Sequence, residues 1–442
     1  MTFKPASRHM RSDSPSSVKQ RQPIHHLTAR ISLCQRSHSM AAFSPNFSLD
    51  MLPREILILI LAELPDVRAL YQLIRASPVA CRLYTAVGAE VLERVLARSV
   101  PPQIHELIRL AGAISTSTPT SPIAPSFAAF LDRHIRPAAD DHEYFPSSPP
   151  LGQVCGGEKE LRRVLLIARR IACLTPICIA DYRERCLSIT PSHRTERGGS
   201  SQGTASEPWK ERFEGTPYRP QDVGPPTWIE EQRVVRGLWR LQVFHELKTA
   251  LSEDRTGWPE EDTQRAADVT PEDLFDGWRP QLEELLTVVD FVRECMTKPE
   301  EGFAIRDRDM RLPNPPAGDD DAAPSWPVLC QPPLMDAWPG WARRLNAPAA
   351  AWAFFSHLHN SPRSPIRGVE FWPFRRLGLA IWGREKLAKL ELTNPAGLAA
   401  SKGPLRGRED VEFTWRSLLP GEYLVLLEQG LEEDWQNAGS EE

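Results

Sequence analysis

The chain has no CxxC pair, no long hydrophobic run, no phosphate-binding glycine loop and no tryptophan before residue 209. Its eight cysteines (34, 81, 155, 173, 178, 186, 295 and 330) are scattered. The nearest approach to a metal comb is Cys173, Cys178 and Cys186, whose spacing fits no structural zinc pattern. Their neighbours are apolar, as in Ile171-Ala172-Cys173-Leu174, so they read as buried free thiols of a reducing compartment, and no metal site is expected. Without about 18 consecutive apolar residues, no segment is expected to enter a membrane. Neither GxxxxGK[ST] nor GxGxxG occurs, so no nucleotide cofactor is expected. A net charge of −5 supplies no field that would draw the molecule to nucleic acid. No repeat of about 20–50 residues recurs, which argues against solenoids and propellers.

What is present is a globular composition, 41% apolar and 25% charged, broken up by 42 prolines. Residues 1–47 read as a disordered basic tail, since residues 1–40 carry seven Lys or Arg against the single acid Asp13. The same bias suits a mitochondrial transit peptide as the alternative to a cytoplasmic or nuclear protein. Residues 48–114 are dense and apolar and read as a helical module. Within 115–187, Ser115–Ser126 (STSTPTSPIAPS) reads as a plain linker and Phe127–Ile135 as a short helix. Glu158–Thr175 places Leu161, Val164, Leu165, Ala168, Ile171 and Ala172 on one helical stripe. Residues 188–226 are rich in Gly, Ser and Pro and read as a second linker.

All 13 tryptophans follow residue 208, so 227–427 reads as a chemically distinct, Trp-rich helical domain with long Pro-rich loops, ahead of an acidic tail at 428–442. Thr227-Trp228-Ile229-Glu230 has the form of a capping box and predicts a helix through Leu247. Thr270-Pro271 predicts another start. Leu282–Val292 is strongly helical in pattern, and Phe374–Leu392 reads as a last long helix. The expected class is therefore mainly α.

The most informative stretch runs from Leu49 to Leu64. Asp50 can cap, Pro53 suits a first turn, and Glu55 faces the positive end of the helix dipole. Six aliphatics at 56–61 make a helix apolar on every side, so one face packs inward and the other needs a partner. Asp66, Ser77-Pro78 and Ser99-Pro101 each open a further short helix.

Leu52-Pro53-x-Glu55-Ile56-x-x-x-Ile60-Leu61-x-x-Leu64-Pro65, followed by Leu70 and Leu73, resembles the F-box. In that family the Leu-Pro turn and the aliphatic face of the first helices hold the Skp-type adaptor protein of an SCF ubiquitin ligase. The resemblance implies that Leu52, Pro53, Ile56, Ile60, Leu61 and Leu64 make or support that contact. Leu59 stands where a polar residue is usual, and Ala76–Tyr84 replaces the family's terminal tryptophan region. The wider chain, through 52–106, 234–242 and 374–382, is similar to fungal F-box-like proteins of unknown function. The implied role is that of an adaptor presenting an unknown protein target, with no catalytic residue of its own and no binding of nucleic acid or membrane.

Two other roles fit the residues. One is a helical scaffold whose F-box-like helices are structural only. The other is an unrecognised enzyme in the Trp-rich domain, which a pocket converging Arg375, Arg376 and Glu385 would reveal. Trp326, Trp338 and Trp341, in or beside Pro-rich loop, are candidate cargo-binding residues. Trp239 and Trp382 are expected in the core with arginines at its rim. Gly199-Ser200-Ser201-Gln202-Gly203 matches GxSxG but lies in a linker, where the strained turn that motif requires has no support. Asp319–Asp321 and His357-x-His359 lack the further ligands a cation needs.

Overall fold

The computed structural model describes residues 49–136, 148–194, 215–222, 224–277, 279–296, 312–313, 338–360, 364–393, 408–425, 427 and 429–430, and within them the chain is mainly α-helical. A 3-10 turn (Leu49–Met51) leads into α1 (Arg54–Ala62), where Pro53 takes the N-cap position expected of Asp50. α2 (Val67–Ala76) is capped by Asp66, whose carboxylate accepts from the Ala69 amide at 2.8 Å. α3 (Pro78–Ser99) is capped by Ser77 and kinks at Val87, and α4 (Pro102–Thr116) follows. α5 (Phe127–Phe130) runs into a π turn (Leu131–Ile135), and α6 (Leu151–Val154) is one turn long.

α7 (Glu158–Ser188) extends well beyond the predicted end at Thr175. Pro176 removes one backbone donor, but packing against α2, α3, α4 and α8 carries the helix through it. Part of 188–226 is not linker. β1 (Ser192–Arg194) and β2 (Gly215–Pro217) pair antiparallel with His193 opposite Thr216, and β1 lies against the helix at Arg408–Ser417. Residues 115–126 are also fixed rather than free. The Trp258 indole donates to the Ala124 carbonyl at 2.8 Å, Arg255 donates to Ile114 and Ser115 carbonyls, and Ala124 is buried.

α8 (Trp228–Ser252) is the axis of the molecule, with α4, α7, α9 (Glu260–Asp268), α10 (Pro271–Leu274) and α11 (Arg279–Met296) packed around it. Its capping box is formed as predicted, with Thr227 and Glu230 satisfying each other's amides. Gly237 permits the close crossing of α11, because a β-carbon there would lie 2.7 Å from Val288 Cγ2. α12 (Trp338–Asn346), α13 (Ala350–His359), α14 (Trp372–Arg375), α15 (Arg384–Lys389) and α16 (Arg408–Ser417) complete the described chain.

The long helix predicted over Phe374–Leu392 is instead two short ones joined by turns. Gly378 sits at φ +66°, and a β-carbon there would fall 2.8 Å from Tyr182. Close docking on α7 thus overrides a helical pattern that local sequence supports. One core runs from Leu57 to Leu419, and the described residues belong to a single compact unit. Residues 48–114 and 227–427 are therefore not separate bodies, since α4 packs along α8.

Candidate functional site

The aliphatic run of α1 divides around the helix. Leu57, Leu61 and Ala62 turn inward against α3 and are buried, each leucine contributing about 1.5–3 kcal/mol. Ile56 is 43% and Leu59 50% exposed, and Met51 in the preceding turn is 77% exposed. Ile56, Leu59 and Ile60 share one stripe at i, i+3 and i+4. The stripe is bounded by charge, with Arg54 and Glu55 at its start and a Glu63–Arg98 ion pair at its end. An apolar centre with a polar rim is the make-up of a protein-binding patch.

Of the six residues that the resemblance points to, Pro53 and Ile56 are exposed and Leu52, Ile60 and Leu64 are half-buried. Leu61, at 1% exposure, is core and lies behind the face rather than on it. Leu59 is not among the six and stands on the stripe, and Met51 is exposed in the turn that precedes it. Leu59 counted as a departure from the family pattern, yet its spacing from Ile56 is the signal that places it on the same stripe.

The tryptophan candidates fare differently. Trp326 and the Trp338 side chain lie outside the described residues. Trp341 is half-buried and meets Trp228 edge-on at 5.6 Å, with Arg344 over its ring, so it is a packing residue rather than a free recognition surface. Among the described residues the exposed tryptophan is Trp372, 41% exposed and edge-on to Tyr423 at 4.6 Å.

The ionisable groups at 375–385 do not converge. Arg375 Nε donates to the buried Glu283 carboxylate at 2.5 Å, Arg376 to the Leu418 carbonyl at 2.8 Å, and Glu385 is exposed. Trp239 and Trp382 are in the core, but the arginines of α8 are not all at its rim. Arg236 is 2% exposed and reaches Glu284 at 2.5 Å, Leu345 O at 2.9 Å and Asn346 Oδ1 at 3.2 Å. Lys386 pairs with buried Glu230 at 3.0 Å.

A second network ties the N-terminal helices. Glu93 accepts from Arg109 at 2.7 Å, meets His105 Nε2 at 2.7 Å and accepts from the Leu151 amide at 2.6 Å, while Glu106 accepts from the Ser148 amide at 2.6 Å. Burial pushes the Glu93 carboxyl up, but its bonds to His105, Arg109 and Leu151 outweigh this and hold it down at about 2.

Cys178 and Cys186 are buried free thiols as expected, Cys186 donating to the Leu377 carbonyl, whereas Cys173 is half-buried. His357 is exposed and His359 bonds the Val369 carbonyl; among the described residues no group of three or more His, Cys, Asp or Glu could hold a metal ion. Residues 199–203 and 319–321 lie outside the described residues. Among those described, no helix is long and apolar enough to cross a membrane. Comparison with protein-family models, with curated proteins and with solved structures finds no match to the chain.

Proposed function

We propose that the chain is an F-box-type adaptor, which docks through the outer stripe of α1 on the Skp-type subunit of an SCF ubiquitin ligase and presents an unknown protein target through its C-terminal part. The observation that carries this reading is the placement of exposed apolar side chains. Among the described residues six large hydrophobic side chains are exposed, and three of them, Met51, Ile56 and Leu59, fall within 51–59. Leaving aliphatic side chains in water costs stability that a partner recovers. Catalysis belongs to the ligase in this reading, so the adaptor needs no acid, base or nucleophile.

The second reading, a scaffold in which these helices are structural only, is favoured by the burial of Leu57 and Leu61 and by α4 packing along α8. Co-expression with a Skp-type subunit separates the two. The adaptor reading expects co-purification of the wild type that is lost in Ile56→Asp, an exposed position where a charge leaves the fold intact. Failure of the wild type to co-purify would leave the scaffold.

A further inference from the structure

Between α7 and α8 lies a cleft of about 480 Å³ that uses no residue of the α1 face. Its size is within the range of about 300–1,000 Å³ in which small-molecule sites fall. We propose that it binds a small organic monoanion, a carboxylate head on an apolar body, with Arg170 as the group that recognises the head.

Among the described carboxylates and arginines at the cleft, which His245 also lines, all but one pair off. Glu246, its side chain 1% exposed, accepts from Arg163 Nη2 at 2.9 and 2.8 Å and from Gln242 Nε2 at 2.8 Å. Glu253 is held by Arg255 at 2.6 Å. Arg170 is half-buried on the cleft wall, and its hydrogen bond goes to the Leu312 carbonyl at 3.3 Å through Nη1. Among the described residues no carboxylate lies within ion-pair distance of it, and the Leu312 carbonyl is the one acceptor its fork of donors meets. A partly desolvated cation without a counter-ion favours an incoming anion.

Two features narrow the class of ligand. A single surplus positive charge matches a monoanion, whereas a phosphate dianion would also face the Glu246 and Glu253 carboxylates on the same walls. The apolar part has a surface to cover: Leu166, 48% exposed, stands in the cleft with Ile167 and Leu312.

The test is calorimetric titration of the full chain with 4-phenylbutanoate, 4-phenylbutanamide and 4-phenylbutylamine. The carboxylate is expected to bind saturably, and the amide and amine at least about tenfold more weakly. Arg170→Gln, which keeps a donor for the Leu312 carbonyl, is expected to lose at least about tenfold in affinity for the carboxylate while leaving the amide unchanged. Absence of saturation at roughly 1 mM, equal binding of acid and amide, preference for the amine, or an unaltered Arg170→Gln would overturn the assignment. Should Arg170→Gln fail to fold, Leu166→Glu at an exposed position must weaken the acid by a larger factor than the amide, since both lose the apolar contact and only the acid meets the added negative charge; equal effects on both would overturn it as well.

Discussion

Arg236 on α8 and Glu284 on α11 meet at 2.5 Å in the interior, each side chain only 2% exposed. Two further bonds from the same guanidinium, to Leu345 and Asn346, bring in α12. Removing Arg236 leaves the Glu284 carboxylate only Arg233 Nε, at 3.4 Å, and removing Glu284 strands both guanidiniums away from water. Arg236→Met is therefore expected to cost about 3–5 kcal/mol, and Arg236→Met with Glu284→Leu much less than the sum of the two single changes. Urea unfolding of the three variants measures this, and simple additivity would show that the pair is not coupled.

The Glu93 network predicts an acid sensitivity. The carboxyl is held at about 2 in the folded chain against an ordinary value of 4.5, so its contribution is complete above the ordinary value and is lost as pH falls toward 2. Glu93→Gln should lower the melting temperature at neutral pH, and the gap to wild type should close as pH falls below about 4. A gap that stays constant with pH would remove Glu93 from the account.

Local chemistry was legible, and contacts between distant segments were not. The caps at Asp66, Ser77 and Thr227 form as their spacing predicts, because each bond closes within three residues. The burial of Trp239 follows from a helical stripe of α8, whereas Trp382 is buried from the turns between α14 and α15, where no helix forms. The break at Gly378 depends on Tyr182, the burial of Arg236 on Glu284, and the anchoring of 115–126 on Trp258; nothing near Gly378, Arg236 or 115–126 in the chain announces those partners. In α1, aliphatics on every side conceal which of Leu57, Leu59 and Leu61 point inward until α3 is in place.

Gly378 supplies a stringent test of the C-terminal fold. Gly378→Ala adds a methyl group at positive φ that must displace Tyr182, whose hydroxyl donates to the Thr287 carbonyl at 2.5 Å. A loss of roughly 1–3 kcal/mol is expected in chemical unfolding. A neutral effect would mean that the turn at 376–383 relaxes without cost.

Trp258 holds the segment after α4 both by its indole bond to Ala124 and by ring contacts with Phe127 at 5.6 Å and Phe130 at 5.8 Å. Trp258→Phe keeps an aromatic ring but removes the donor, leaving a buried carbonyl unpaired at a cost of about 1–3 kcal/mol. Limited proteolysis should then cut within 117–126 faster than in the wild type. Unchanged cleavage would assign the anchoring to Arg255 and the rings alone.

The central claim is that the outer stripe of α1 is a docking surface, and a binding titration against a purified Skp-type adaptor protein tests it most directly. The wild type should bind, while Ile56→Asp and Leu59→Asp should abolish binding with melting temperatures unchanged, because both side chains already stand in solvent. A wild type that does not bind, or aspartate variants that bind as well as it does, would contradict the account and leave α1 as a structural helix.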